Sequence, residues 1–332
     1  MRTLLILFSF LGMLHGQAVT VGSILRQDAA LDGIVPKDAK LERVLDGQRF
    51  LEGPVWNKNG GYFYASDLMA NAILKWTPGS APAIFRKPVF DGPFPDSVMI
   101  GSNGLALDPQ GRLIAAEHGN RRISRTERNG SVTTLVDRYE GKRLNSPNDV
   151  VVKRNGDVYF TDPPGLYRTY PPGTTPPVRE LDFPGVYHVV MAKNKVQKLE
   201  LLTKDIQYPN GIAFSPDEKK LYVSSSRPDK YWMVFDVTPG GGITNGRKFY
   251  DATSVPGDNV PDGLKLDRAG NIYATGPAGV SIFSPAGKQL GVLQLPELPS
   301  NCAWGDADAK TLYITARTSI YRIRLNIAGI RR

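Results

Sequence analysis

The chain contains very little cysteine and histidine. Of its 332 residues, one is cysteine, Cys302, and three are histidine. A single cysteine excludes an intrachain disulfide, so the fold must be stabilised mainly by packing. Because Cys302 lies in a predicted inner strand, we expect a small buried hydrophobic residue rather than a catalytic thiol.

Sequence motifs of several protein classes are also missing. There is no Gly-x-Ser-x-Gly elbow of a serine hydrolase, no Gly-rich phosphate loop and no dinucleotide fingerprint. The formal net charge is +9, yet the basic residues are scattered and no nucleic-acid motif accompanies them. One cluster, Arg121, Arg122, Arg125 and Arg128, could meet an anion, although a solvated strand edge is the favoured interpretation. We expect a small-molecule partner and no nucleic acid.

Long apolar runs are absent except at the amino terminus. The run from Leu4 to Leu14 follows Arg2 and precedes small residues near Ala18, which is the pattern of a secretory signal. It is shorter than the roughly 20 residues that a membrane-spanning helix needs, and no later segment is a candidate span. The sequence predicts a signal peptide over 1–18, a linker over 19–38, one domain over 39–328, and a secreted or periplasmic location.

The most informative feature that is present is a repeat, whose first copy is Leu51–Asp67, LEGPVWNKNGGYFYASD. Each copy has a polar residue, a short apolar strand, a turn containing Asp, Asn, Gly or Pro, and a second strand rich in Tyr, Ile, Leu and Val. The residues that head the copies are Glu52, Asn103, Asn148, Asn210, Asp262 and Asn301. This pattern is typical of a β-hairpin, and the chain contains six copies of it.

Repeats about 40 to 60 residues apart, with several strands in each, are typical of propeller blades. The sixth copy has only three predicted strands, while a strand at Leu41–Leu45 precedes the first copy and has no blade. We therefore predict an all-β, six-bladed β-propeller whose last blade is completed by this N-terminal strand. The proline-rich segment from Pro163 to Pro184 interrupts blade 3, either as a loop over a pocket or as a solvated insertion.

If every inner strand runs the same way along the axis, the six heading residues converge at one mouth of the channel, where they form a ring. Carboxylate and amide oxygens without thiolate or imidazole suit Ca²⁺ best, then Mg²⁺ or Mn²⁺, whereas Zn²⁺ more often recruits His or Cys. The alternatives are a water-filled channel, a monovalent ion, or Asn and Asp residues that only cap turns.

The second strand of each hairpin returns to the same mouth, so the residues at its end form a second ring: Asp67, His118, Asp162, Ser226, Gly276 and Arg317. In blade 2, Glu117 and His118 are candidates for substrate contacts or proton transfer. A structural, hydrogen-bonded role for His118 is an equal alternative.

Several stretches carry a family resemblance: LEGPVW, YEGKRLNSPNDVVVKRNGDVYFTDPP, YPNGIAFSPDEKKLYVS and VPDGLKLDRAGNIYATG. With them the chain resembles the gluconolactonase and senescence-marker-protein (regucalcin) family of six-bladed propellers. The resemblance implies hydrolysis of a sugar lactone and a divalent cation, usually calcium. The ligands that it implies are Glu52, Asn148, Asn210 and Asp262.

In this resemblance the cation polarises the lactone carbonyl and Asp262 activates water as a general base. Asn103 and Asn148 would bind hydroxyl groups of the substrate, and Asp149 would orient the ligands without contacting the cation itself. Two alternatives stay open. The same metal site could serve another ester or organophosphate hydrolase with Asp262 as nucleophile, or the propeller could bind a ligand without catalysis.

Overall fold

In the computed structural model, which describes residues 18–330, six antiparallel sheets surround a central channel as the blades of a propeller. This arrangement confirms the predicted all-β, six-bladed fold. The inner strand of each blade contacts the inner strands of both neighbouring blades. The channel is therefore lined by one strand from every repeat.

The strands of each blade follow one another from the channel outwards. Blade 1 comprises Leu51–Asn57, Tyr62–Asp67, Ala72–Trp76 and Ala83–Arg86, and blade 2 comprises Ser102–Leu107, Leu113–Glu117, Arg122–Thr126 and Val132–Val136. Blade 3 comprises Val150–Val152, Val158–Asp162, Gly185–Ala192 and Lys195–Thr203, and blade 4 comprises Pro209–Phe214, Lys220–Ser225, Tyr231–Val237 and Ile243–Asp251. Blade 5 comprises Leu264–Leu266, Ile272–Gly276, Gly279–Phe283, Gln289–Gln294 and Ser23–Arg26. Blade 6 comprises Pro299–Gly305, Thr311–Ala316, Ser319–Arg324, Glu42–Leu45 and Val19–Thr20. Outside the blades are a hairpin of Arg138–Tyr139 with Lys142–Arg143 and two 3-10 helices, Ala29–Gly33 and Leu166–Arg168.

The repeated aspartates of the hairpins shape the turn at the end of the inner strand. In blade 2, Asp108 Oδ1 accepts hydrogen bonds from the amides of Gln110 and Arg112, each at 2.9 Å. In blade 5, Asp267 Oδ1 accepts from the amides of Ala269 and Asn271, again at 2.9 Å. Such side-chain bonds stabilise tight turns locally, which explains why the turn pattern recurs along the sequence.

The hydrophobic core is divided into layers between neighbouring blades. A separate cluster of buried apolar side chains fills each of the six interfaces. Consecutive aromatic residues of a second strand supply opposite layers: Tyr159 packs toward blade 4, whereas Phe160 packs toward blade 2. Side chains alternate across a strand, so the Tyr- and Phe-rich second strands bury both of their faces.

The N-terminal strand closes the ring as predicted. Glu42–Leu45 pairs antiparallel with Ser319–Arg324, and Arg322 Nε donates to Glu42 Oε2 at 2.7 Å. This pairing covers the outer edge of the three C-terminal strands, an edge that would otherwise be open to other chains.

The structure differs from the expected linker over 19–38. Val19–Thr20 extends blade 6, and Ser23–Arg26 pairs with the outer strand of blade 5. Leu31 and Val35 are buried in the layer between blades 5 and 6. Their burial removes apolar surface from water, which holds this segment on the propeller.

The predicted signal peptide, apart from Ala18, lies outside the described residues. Within 18–330, no helix combines the length and apolar character needed to cross a membrane.

Candidate functional site

A backbone irregularity begins each inner strand at the same mouth of the channel. In blade 3, for example, the amide of Asn148 donates to Thr161 O at 2.8 Å, and the amide of Thr161 donates to Asp149 O at 3.0 Å. Two residues thus oppose one, which is the geometry of a β-bulge. Blade 5 has the same pattern at Asp262 and Gly263 opposite Thr275. In the other four blades the register also shifts near the heading residue. Bulges commonly re-aim side chains at functional sites.

Hydroxyl groups fix the heading residue of one blade to the blade before it. Ser66 Oγ donates to the carbonyl of Asn103 at 2.7 Å, and Thr161 Oγ1 donates to that of Asn210 at 2.6 Å. Ser224 Oγ donates to the carbonyl of Asp262 at 3.0 Å. Because these donors stand on second strands, each hairpin positions the next residue of the ring.

Close backbone approach requires glycine beside this ring. A Cβ on Gly211 would lie 2.2 Å from the carbonyl oxygen of Asp262, and a Cβ on Gly263 would lie 2.0 Å from Cγ of Asn301. Neither space admits a side chain, which explains the glycine that follows Asn210 and Asp262. In blade 3 the equivalent residue is Asp149, whose carboxylate accepts from the amides of Val150 and Ile212 at 2.9 and 3.2 Å.

Burial and neighbouring carboxylates raise the proton affinity of two carboxylates near the ring, Glu52 and Asp262. Burial, then the nearby Asp149, raises the pKa of Glu52 to about 7, although Lys265 opposes the shift. Burial, then the charges of Glu52 and Asp149, holds the pKa of Asp262 well above its usual range. Glu52 and Asp149 are each 2% exposed, whereas Asp262 keeps partial exposure. The site concentrates negative charge, and a cation would relieve that repulsion.

The amides of the ring differ in what their oxygens contact. Asn210 Nδ2 donates to Ser226 Oγ at 2.9 Å, but its buried Oδ1 has no hydrogen-bond partner. Asn301 Oδ1 instead accepts from the amide of Cys302 at 2.9 Å and from Lys265 Nζ at 3.1 Å. A buried acceptor without a donor is energetically costly, so Asn210 supplies a free oxygen where Asn301 does not.

A divalent cation fits this donor set. In the described part of the chain, no three His, Cys, Asp or Glu side chains form a metal-binding cluster by themselves. A cation would therefore need amide oxygens as well as carboxylates. Hard cations such as Ca²⁺ accept both kinds of ligand, and the unpartnered oxygen of Asn210 provides one of them.

The structure separates the two predicted residues of blade 2. His118 is 3% exposed and faces the ring: its Nε2 lies 3.3 Å from Asn103 Nδ2, and its Nδ1 lies 3.2 Å from Met99 O. Burial lowers the pKa of His118 to about 4, against a small opposing effect of the Met99 carbonyl. At neutral pH His118 is therefore uncharged.

Glu117 is not brought to the channel, in contrast to its predicted role as a substrate contact. Its carboxylate is fully buried and forms ion pairs with Arg86 of blade 1 and Arg122 of blade 2. It also accepts from Ser124 Oγ at 2.5 Å and Asn120 Nδ2 at 2.6 Å. Burial raises its pKa, but the two guanidinium groups outweigh burial and keep the pKa below its usual value. Side chains alternate along a strand, so neighbours 117 and 118 point to different surroundings.

The expected second ring is only partly formed, because two of its aspartates bind backbone. Asp67 accepts from the amides of Arg49 and Phe50, at 3.0 and 2.9 Å. Asp162 accepts from the amides of Asn145 and Ser146, each at 2.7 Å. Both carboxylates thus hold the loop that enters their own blade.

Two long loops cover the mouth. The proline-rich loop is anchored by Ser146 Oγ, which donates to Pro163 O at 2.6 Å and accepts from the Leu166 amide at 3.1 Å. Leu166 is buried with Val98 and Ile100 of the loop between blades 1 and 2. The first part of the loop therefore lies over the site, and its exposed part around 172–175 is solvated.

A cavity of about 690 Å³, which we call the mouth cavity, opens beside these loops. Its lining includes Tyr167, Arg168, Arg179, Gln207, Tyr208 and Arg227. Tyr208 stands two residues before Asn210. Arg227 directly follows Ser226, whose hydroxyl accepts a hydrogen bond from the side-chain amide of Asn210. Sequence reasoning missed these residues, although their proximity to ring residues was a usable signal.

The opposite end of the channel holds a cavity of about 510 Å³ with a largely apolar lining. Leu105, Val150, Phe214 and Trp304 belong to it, and Lys265 stands between this cavity and Asn301. Because the acidic ring faces the other mouth, the chemistry is assigned there.

Comparisons with known proteins agree with this geometry. Residues 50–318 match the family model described as SMP-30/Gluconolactonase/LRE-like region. A gluconolactonase of Zymomonas mobilis is 36% identical over 329 residues, with coverage of 93% of this chain and 88% of that protein.

Solved structures share the fold. A gluconolactonase of Xanthomonas campestris is 33% identical with a TM-score of 0.81, covering 94% of this chain and 98% of that one. The calcium-binding protein regucalcin of Agrobacterium tumefaciens is 18% identical with a TM-score of 0.67, covering 85% and 92%. At that identity the likeness to regucalcin concerns the fold alone.

Proposed function

The chain belongs to the SMP-30/gluconolactonase/LRE-like family and is a lactonase, a hydrolase of ester bonds, and we propose that it opens sugar lactones with the help of a divalent cation. The proposed ligands are Glu52, Asn148, Asn210 and Asp262, and Ca²⁺ is the proposed ion. The observation that carries the cation is the buried Oδ1 of Asn210, which has no hydrogen-bond partner beside mutually repelling carboxylates.

The donor set also argues for a hard ion. Carboxylate and amide oxygens are the ligands that Ca²⁺ prefers, while Mg²⁺, Mn²⁺ and Zn²⁺ are alternatives that metal replacement distinguishes. When bound, such a cation supplies Lewis-acid polarisation of the ester carbonyl.

Asp262 is the proposed general base. It is the carboxylate of the three that is partly open to the channel, whereas Glu52 and Asp149 are buried. A carboxylate that is open to the channel can take a proton from a water molecule held there. Asp262 would accept the proton of the attacking water.

The remaining residues position the reactants. Asp149 holds the backbone around the ring through the amides of Val150 and Ile212. Asn103, fixed by the uncharged imidazole of His118, would present its amide to hydroxyl groups of the sugar. Asn148 would do the same from blade 3.

The experiment is hydrolysis of a panel of aldono-lactones by the mature protein, before and after chelation, with Ca²⁺, Mg²⁺, Mn²⁺ or Zn²⁺ restored separately. We expect activity to disappear with the chelator and to return best with Ca²⁺. Full activity after the bound metal has been removed would contradict the cation. Absence of activity across the panel, with metal bound and the fold intact, would favour another ester or organophosphate, or a binding propeller.

We also propose that the protein is exported by the segment 1–18. Expression of the full chain and of a chain without this segment, followed by cell fractionation, tests this proposal. Retention of the full chain in the cytoplasm would contradict it.

A further inference from the structure

The mouth cavity has an unusual charge. Three of the lining side chains, Arg168, Arg179 and Arg227, are positively charged, and none is acidic. Within the described residues, none of the three forms an ion pair with a carboxylate at 4.0 Å or less. Arg179 Nε donates to Asn145 Oδ1 at 3.0 Å, and its charge also acts on the buried Asp162. Arg168 and Arg227 are left without a carboxylate partner among the described residues, and a bound anion would relieve their repulsion.

Two of these guanidinium groups lie close to the same aromatic side chain, that of Tyr208. The Cζ atoms of Arg168 and Arg227 lie 6.0 and 5.7 Å from the ring centroid of Tyr208. Stacking against an aromatic ring restrains an arginine while leaving its donors free. Arg168 comes from the proline-rich loop and Arg227 from blade 4, so the two are brought together by the fold.

Three other arginines, which are close together in the sequence, are already paired. Arg121, Arg122 and Arg125 belong to the cluster seen in the sequence, and they pair with Glu180, Glu117 and Glu127 at 3.8, 2.7 and 2.7 Å. Arg128, the fourth member of the cluster, lines the cavity at the opposite end of the channel. The arginines that line the mouth cavity come instead from separate parts of the sequence.

The cavity is also in the right place to contact a substrate. Tyr208 stands two residues before Asn210, and its carbonyl accepts from the amide of Ser226 at 3.1 Å. Gly165 of the proline-rich loop lies beside both the Tyr208 hydroxyl and His118. A sugar lactone with its ester at the ring would extend its far end toward Tyr208. The volume of about 690 Å³ leaves room for a substituent there.

We propose that Arg168 and Arg227, supported by Arg179, bind a negatively charged substituent of the substrate, so that the preferred substrate is an anionic sugar lactone. This inference rests on the proposed lactonase function. Guanidinium groups bind carboxylate, sulfonate and phosphate groups through paired hydrogen bonds, and the test distinguishes these three anions.

The test compares initial rates for a neutral aldono-lactone with those for derivatives that carry a carboxylate, a sulfonate or a phosphate on the terminal carbon. We expect kcat/KM to be about tenfold or more higher for at least one anionic derivative, because hydrogen bonds between charged groups are roughly twice as strong as those between neutral groups. The variant with both Arg168→Gln and Arg227→Gln should lose most of this preference through KM. Its rate with the neutral lactone should stay within about threefold of the wild type, because an uncharged substrate gains little from guanidinium groups. Arg268→Gln, at an exposed turn on the far side of blade 5, is the matched control and should change neither rate.

Equal rates for neutral and anionic lactones in the wild type would overturn the inference and leave the lactonase function intact. Equal losses for both substrates in the double variant would overturn it as well. If no lactone is hydrolysed, the proposed function fails, and calorimetry with the open-chain acids then decides the anion site separately. Tighter binding of a diacid than of a monoacid, lost in the double variant, would support it, whereas equal binding would overturn it.

Discussion

Asn301 Nδ2 donates a hydrogen bond to Glu52 Oε2 at 3.2 Å, so the last blade contacts the first at the centre of the site. The two residues are 249 positions apart. The same bond lowers the affinity of Glu52 for a proton, against the larger effect of burial. Closure of the ring and assembly of the acidic site therefore take place at one contact.

The unpartnered oxygen of Asn210 leads to a prediction about cation affinity. Asn210→Ala should weaken Ca²⁺ binding by about tenfold or more, because it removes a proposed oxygen ligand and a water molecule is a poorer ligand in the same position. Calorimetric titration of the metal-free protein measures the change. Asn103→Ala is the control in the neighbouring blade: it should retain cation affinity and lose activity. Equal losses of affinity in both variants would remove Asn210 from the ligand set.

Asp262→Asn should abolish most turnover while the protein stays folded. General-base catalysis contributes about 10² to 10⁴ in rate, and asparagine keeps the size of the side chain without its basicity. Steady-state kinetics and circular dichroism together provide the measurement. Unchanged kcat would show that another group activates the water. Incorporation of ¹⁸O into Asp262 during a single turnover in ¹⁸O-labelled water would instead reveal a nucleophile.

Glu117→Gln should affect stability much more than catalysis. Removing one partner of a buried ion pair leaves uncompensated charge, in this case on Arg86 and Arg122, at a cost of about 3 kcal/mol or more. Denaturant unfolding measures the loss. Asp308→Asn, which breaks an exposed pair with Arg324, is the control and should cost at most about 1 kcal/mol. A large fall in kcat with little loss of stability would return Glu117 to the active site.

The buried imidazole of His118 should make the fold sensitive to acid. Its pKa is about 4 in the folded protein, against about 6.5 in an unfolded chain. As the pH falls, the unfolded state binds the proton first, so stability is lost progressively between about pH 6.5 and 4, by roughly 3 kcal/mol in total. His118→Gln should show a shallower decline over that interval in urea unfolding. Parallel pH curves for the two proteins would exclude this contribution.

Gly263→Ala should disrupt the ring by steric overlap. The added methyl group would lie 2.0 Å from Cγ of Asn301, and overpacking costs about 1 to 3 kcal/mol or more. Thermal unfolding and lactone hydrolysis should both decline. Gly240→Ala, which meets no atom within 4 Å, is the matched control and should be neutral or slightly stabilising. Normal activity in Gly263→Ala would show that the ring tolerates this displacement.

Much of the architecture was predictable because it repeats locally. The alternation of Phe63 and Tyr64 between two layers, and turn aspartates such as Asp108, depend on neighbours within a few residues. The count of six hairpins and one unassigned strand near Leu41–Leu45 then required a closed ring. The segment 19–38 lacked such a pattern. Ser23–Arg26 pairs with a strand more than 260 residues later, and Val19–Thr20 pairs with Glu42–Leu45, which itself belongs to the last blade.

The candidate site, like the fold, could be predicted from the sequence only in part. The six heading residues, from Glu52 to Asn301, could be identified from the amino-acid order, because each one occupies an equivalent place in a repeated hairpin. The folded structure was needed to show which amide oxygen stays free, that Glu117 pairs with Arg86 of another blade, and that Arg168 meets Arg227 over Tyr208. Such contacts join residues whose spacing follows no period, and they exist only once the blades have packed.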